Sequence, residues 1–194
     1  MQQWARFVWS DSGLWPGPIN FNDHRLYSHP LHIEFRNNEI YRTPLNKLRD
    51  FIENHGDVQV DCNSKSHKEV MDLLMLGCNR VSIDIFTKNN EIELCHAVSE
   101  QLILAITLPS NLSLTYLTDT LFPRLNEVKD LGPSSVLIIS KRKGDLAFVI
   151  DKIPKDLRNY FSWLLAPEEG DTVPISNNQN ILGWILDGER RIGV

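Results

Sequence analysis

Two aspartates and a lysine carry the first chemical signal. Asp61 follows the apolar stretch Val58 to Val60, Asp84 follows Val81-Ser82-Ile83, and Lys65 lies just beyond Asp61. Each carboxylate sits at the end of a run that reads as a strand. If those strands are neighbours, the two carboxylates lie close together. Such a pair suits a divalent cation, or acid/base work in which one member has a raised pKa. Lys65 would neutralise them. The same three residues also read as a structural salt bridge, or as polar caps on the helices that follow.

The second signal is Lys141-Arg142-Lys143-Gly144-Asp145, the one dense basic run, placed just after the buried-type stretch Val136 to Ile139. Clustered cations at a strand end suit a phosphate or carboxylate ligand. A solvated turn is the plainer reading. The six histidines (His24, His29, His32, His55, His67, His96) show neither H-x-x-x-H nor H-E-x-x-H spacing, so none reads as a metal ligand. His32, inside a strand, reads as a hydrogen-bonded core histidine, and His67 as an exposed residue on a first helical turn. Cys62, Cys78 and Cys95 form no C-x-x-C pair, which predicts free thiols in a reducing compartment. Nucleotide-binding and nucleophile-elbow fingerprints are absent, so no cofactor is called for.

These residues need a scaffold. The chain has 194 residues, 42% hydrophobic and 23% charged, with net charge −5. That predicts a single domain over residues 1–194 with a core large enough to stand without disulfides. The acidic balance makes nucleic acid an unexpected partner. No apolar run approaches a membrane span, and the first residues lack the pattern of a secretory signal. A cytoplasmic location is therefore expected. Residues 1–30 read as irregular, with Trp4 to Ser10 a candidate strand and Gly13 to Pro18 a break. Trp4, Trp9 and Trp15 read as packing under a loop, or as a stacking platform.

From Leu31 onward the pattern is regular. Strand runs appear at Leu31 to Phe35, Val58 to Val60, Arg80 to Ile85, Gln101 to Thr107 and Val136 to Ile139. Between them lie helical runs. One starts at Pro44 with Thr43 as its cap, and one at Ser66 with Glu69 completing a capping box. Another is expected over 91–98, and a fourth over 112–131, interrupted near Pro123. Asp156 to Leu165 reads as a helix, 167–180 as a polar loop, and Ile181 to Leu186 as a last strand. Short, continuously apolar strands alternating with helices predict an α/β fold built on a parallel sheet.

The stretch Val60-Asp61-Cys62-Asn63-Ser64-Lys65-Ser66-His67-Lys68-Glu69-Val70, followed by Leu76-Gly77-Cys78-Asn79-Arg80-Val81, resembles the histidine-biosynthesis barrels, the phosphoribosyl isomerases. Leu31-His32-Ile33 with Pro44-Leu45-Asn46 upstream, and Val136 to Ile139 with Arg142-Lys143-Gly144 downstream, extend the likeness. It implies a (β/α)8 barrel, small or incomplete at this length. It also implies a mouth at the strand C-termini to which Asp11, Asn37, Asp61, Asn63, Lys65, Asp84, Thr107 and Ser140 point. The departures bear on activity. Where the family carries phosphate-facing glycines, this chain has Asp61, Cys62 and Asn63, and then Asp84-Ile85. Where a catalytic aspartate is expected, it has Thr107, while Asp11 stands near the other.

The expectation is thus a divergent barrel that binds a phosphorylated sugar or nucleotide-like ligand without the isomerase activity. Asp11, Asp61 and Asp84 are its candidate catalytic residues. Asn63, Lys65, Thr107, Lys141, Arg142, Lys143 and Gly144 are its candidate ligand contacts. A non-catalytic protein-interaction or regulatory module, and a metal-dependent hydrolase at Asp61 and Asp84, remain the alternatives.

Overall fold

A computed structural model describes residues 2–36, 39–171 and 180–193. Eight parallel strands close into a barrel: β1 (Gln2–Ser10), β3 (Leu31–Glu34), β4 (Val58–Ser64), β5 (Arg80–Asp84), β6 (Leu102–Thr107), β7 (Ser135–Ile139), β8 (Ser162–Ala166) and β9 (Ile181–Asp187). Closure comes from β1, which pairs in parallel with both β3 and β9. The strand set is therefore complete, and the economy of a short chain falls on the connections. A short antiparallel strand, β2 (Gly13–Trp15), and a 3-10 turn (His24–Ser28) join β1 to β3. Pro16 and Pro18 leave little room for a helix there.

The other helices follow their strands: α1 (Leu45–His55), α2 (His67–Met75), α3 (Asn89–Val98), α4 (Leu114–Tyr116), α5 (Phe122–Lys129), α6 (Asp145–Lys152), α7 (Lys155–Tyr160) and α8 (Gly188–Ile192). Between α4 and α5 the chain makes a π turn over Leu117–Leu121. The interruption expected at Pro123 thus takes the form of a widened turn just before it, because proline removes one backbone donor.

Several local expectations need correcting. The segment read as one helix over 156–165 is α7 followed by β8. Trp163 and Leu165 pair with β7 in the sheet, and tertiary pairing overrides the local pattern. Thr43 does not cap α1, since its hydroxyl donates to the Glu39 carbonyl. Ser66 caps α2 by accepting from the Lys68 amide, but Glu69 does not complete a box: it accepts from Ser64 Oγ at 2.7 Å and from the Tyr41 hydroxyl. Most of the expected polar loop, 172–179, lies outside the described residues.

Side chains alternate between the lumen and the helix-covered outer face. Ala5, Phe7, Leu31, Ile33, Val58, Val60, Val81 and Ile83 all point outward into the larger core cluster. Trp9 packs there against Phe21, Phe35 and Phe51. The lumen has two characters. Trp4, Ile103, Ala105, Leu137, Ile139, Leu164, Ala166 and Ile185 make one apolar half. The half formed by β1, β3, β4 and β5 instead carries Arg6, His32, Glu34, Gln59, Asp61 and Ser82 in alternation with the outward apolar residues.

Candidate functional site at the barrel mouth

Two adjoining cavities open at the C-terminal ends of the strands. One, of about 760 Å³, is lined by residues that include Glu34, Asp61, Asn63, Lys65, Asp84 and Thr107. The other, of about 880 Å³, lies between Trp15-Pro16, the segment 167–171 and Arg190-Arg191 of α8. Arg6, Arg36 and Lys141 line both. Either volume falls in the range of ordinary small-molecule pockets.

Asp61 stands where β4 overshoots its partner. The β4–β5 register shifts between Val60 and Ser64, and Asn63 takes φ 52°, a left-handed conformation that asparagine tolerates. Asp61 Oδ1 accepts from Ser82 Oγ at 2.6 Å and from the Asn63 amide at 3.0 Å. The kink is thereby tied to the neighbouring strand, and the Asn63 side chain reaches the cavity. Asp84 Oδ1 accepts from the Phe86 amide at 2.8 Å, a local turn that starts the β5–α3 loop. Its other oxygen is 3.8 Å from Lys65 Nζ. Both carboxylates line the same cavity, each with one oxygen committed. Among the described residues no group of three or more His, Cys, Asp or Glu side chains is arranged to hold a metal ion.

The basic turn divides its labour. Lys141 lines both cavities, and no ion pair or hydrogen bond engages its ammonium among the described residues. Arg142 donates to the Ser110 carbonyl and so ties two loops together. Gly144, at φ 84°, starts α6 and donates its amide to Asp171 Oδ2 at 3.1 Å. A Cβ at Gly170 would stand 3.1 Å from Lys143 Nζ, so Lys143 lies along the loop after β8. Ser140 lines the larger cavity and is buried, its hydroxyl donating to the Arg142 carbonyl. Asp11 sits exposed in the β1–β2 turn, where its carbonyl accepts from Lys47, and it lines neither cavity. Asn37 lies outside the described residues.

The sequence reading passed over the centre of the mouth. Arg6 on β1 donates through Nε to Glu34 Oε1 at 2.6 Å, and Arg36 donates through Nη2 to Glu34 Oε2 at 2.9 Å. Burial acts to raise the Glu34 pKa. The charges of Arg6 and His32 and the hydrogen bonds from both arginines outweigh it, leaving Glu34 below its ordinary value and ionised. The available signal was a charge inside each of two apolar strand patterns, at Arg6 and at Glu34. One layer lower, His32 is fully buried and 3.8 Å from Glu34 Oε1. Among the described residues its ring nitrogens find no hydrogen-bond partner, contrary to the expectation of a hydrogen-bonded core histidine, and Gln59 beside it is equally unsatisfied. Burial holds the His32 pKa down, against the pull of Glu34 and Asp61. Cys62 at the rim is no nucleophile at neutral pH, because burial pushes its thiol up to about 12.

Trp15 is the only one of the three early tryptophans to reach a cavity wall. Trp4 is buried in the lumen beneath the Arg80 guanidinium, and Trp9 is buried outside it. Among the described residues, no helix is long and apolar enough to cross a membrane.

The chain is similar in structure to two solved barrels. One is orotidine 5'-phosphate decarboxylase from Pyrococcus horikoshii OT3, at 11% identity and TM-score 0.58, covering 84% of this chain and 79% of that one. The other is 3-hexulose-6-phosphate synthase from Salmonella typhimurium, at 13% identity and TM-score 0.62, covering 98% and 91%. The likeness is one of fold: both are barrels of this type, and neither is a histidine-biosynthesis isomerase. No protein-family model matches the chain, and no curated protein matches it by sequence.

Proposed function

We propose that this barrel binds a small phosphorylated sugar or nucleotide-like ligand at its mouth, with the phosphate on Lys141. The observation that carries this reading is the position of Lys141. It is a cation without a protein counter-charge among the described residues, at the junction of the two cavities. Arg6, Arg36, Arg190 and Arg191 line the same larger cavity with it, facing Glu168, Glu169, Asp171 and Asp187, so cations outnumber carboxylates there by one. The loops after the last two strands of such barrels are frequent phosphate sites, and here the segment after β8 and the start of α8 form that wall. The names of both structural neighbours are those of enzymes acting on phosphorylated compounds. In the smaller cavity Asp61 and Asp84 each keep a carboxylate oxygen to accept from ligand hydroxyls, and Lys65, Asn63 and Thr107 supply further polar contacts.

Isomerisation by paired carboxylic acids fits this mouth poorly. Thr107, whose hydroxyl does not ionise near neutral pH, stands where the isomerases that the sequence resembles have an aspartate, and Asp11 is turned into the β1–β2 loop. Ligand binding without that reaction is the reading that supports the residues present.

Thermal unfolding with ribose 5-phosphate and glucose 6-phosphate tests it. Occupancy raises the melting temperature in proportion to RT ln(1 + [L]/Kd). Lys141→Ala removes one charge-assisted hydrogen bond, about 1.5–3 kcal/mol, or roughly ten- to a hundredfold in Kd. An unmoved melting temperature across both ligands, or binding indifferent to Lys141→Ala, would overturn the assignment.

A further inference from the structure

The guanidinium of Arg6 is held in an unusual way for a lumen residue. Its Nε is committed to Glu34, while its two Nη groups have no protein partner among the described residues. They are not sealed off, since Arg6 lines both cavities. Glu34 in turn has spent both oxygens, one on Arg6 and one on Arg36. Asp187, the register partner of Arg6 on β9, caps Arg190 through Oδ1 and forms no ion pair with Arg6. The floor of the mouth therefore presents an immobilised, fork-shaped pair of donors whose orientation is set by a buried carboxylate.

An end-on guanidinium fork matches a planar, two-oxygen anion. The nearby carboxylates Glu34 and Asp61 disfavour a dianion at that depth more than a monoanion, by simple Coulomb repulsion. From these observations we infer that Arg6 is a carboxylate-binding residue, and that the ligand of this barrel is a phosphorylated compound bearing a carboxylate. The carboxylate rests on the lumen floor and the phosphate at the Lys141 rim. Glu34 is the positioning residue that aims the fork. This inference rests on the phosphate reading above for one end of the ligand and is independent of it at the other.

The test uses three open-chain probes: 6-phosphogluconate, which carries both groups, sorbitol 6-phosphate, which lacks the carboxylate, and gluconate, which lacks the phosphate. Calorimetric titration of the intact protein should give 6-phosphogluconate at least tenfold tighter binding than sorbitol 6-phosphate. Arg6→Gln should erase that preference, so that 6-phosphogluconate and sorbitol 6-phosphate bind alike, whereas Lys141→Ala should weaken both phosphates and keep the preference. Arg6→Lys keeps a charge against Glu34 but loses the fork. It should retain the fold by circular dichroism and still lose the preference, and it decides the matter if Arg6→Gln does not fold. Equal affinity for the two phosphates, or a preference that survives both Arg6 variants, overturns the carboxylate site and leaves the phosphate reading standing. If neither phosphate binds, the phosphate reading falls. Arg6-dependent binding of gluconate then upholds the carboxylate site, and its absence overturns that as well.

Discussion

Arg6 and Glu34 form a 2.6 Å ion pair diagonally across the β1–β3 seam, with side chains only 19% and 9% exposed. In the register of those strands Arg6 faces His32 and Val8 faces Glu34. The pair therefore spans two lumen layers, with Arg36 reaching down to the same carboxylate from above. Removing one partner of a buried pair strands the other charge. Glu34→Ala is expected to lower unfolding free energy by about 3 kcal/mol in urea titration. A double variant, Arg6→Met with Glu34→Leu, should cost clearly less than the two single changes summed. Additive costs would show that the pair is not coupled.

Acid should reach the fold through the same carboxylate. The folded pKa of Glu34 lies below its unfolded value. Its contribution is therefore fully present above the unfolded pKa, about 4.3, and is lost as pH falls through the folded pKa. Below pH about 4 the wild type should lose stability more steeply than Glu34→Gln. Parallel pH profiles of the two proteins would contradict this.

His32 acts in a different window. Its folded pKa is lowered by burial, opposed by Glu34 and Asp61 and reinforced by Arg6. The unfolded chain takes up the proton first, so stability declines as pH drops below about 6.5. His29 and His55 are lowered too, again mainly by burial, so the slope is shared. His32→Leu removes two unsatisfied buried nitrogens and should be nearly neutral at pH 8. It should also flatten the decline between pH 6.5 and 5. A large loss at pH 8 would mean that those nitrogens have partners after all.

The closing seam of the barrel depends on Gly183. A Cβ there would collide with the Gln2 carbonyl and the Trp4 ring on β1. Gly183→Ala should therefore destabilise by about 1–3 kcal/mol, the usual cost of overpacking. Full stability in the alanine variant would rule out so close an approach of β9 to β1.

None of the three cysteines should react readily in the native protein. Burial pushes Cys62 and Cys78 up to about 12 and Cys95 to about 11. A disulfide reagent at pH 8 should titrate them only after unfolding, and a fast native phase of one thiol would point to a more open rim around Cys62.

Much of the barrel was legible in the sequence because its signal is local. Apolar strands such as Leu102–Thr107 and Ser135–Ile139 need no tertiary information to be recognised, and neither does the Ser66 cap of α2. The positions of Asp61, Lys65, Asp84 and Lys141 at strand ends follow from the same period. Two features were illegible for the same reason, that they depend on strands distant in sequence. Trp163 belongs to a strand because β7 and β9 flank it, not because of its neighbours along the chain. The Arg6–Glu34–Arg36 cluster exists because closure brings β1 beside both β3 and β9. Residue type and spacing by themselves determined an α/β fold of alternating elements and which charges end its strands. The tertiary structure alone decided which of those charges remain unpaired, because ion pairing depends on distances of a few ångströms between strands that the chain's order does not encode. That left Lys141 and the Nη groups of Arg6 facing the mouth, and turned Arg142 and Asp11 away from it.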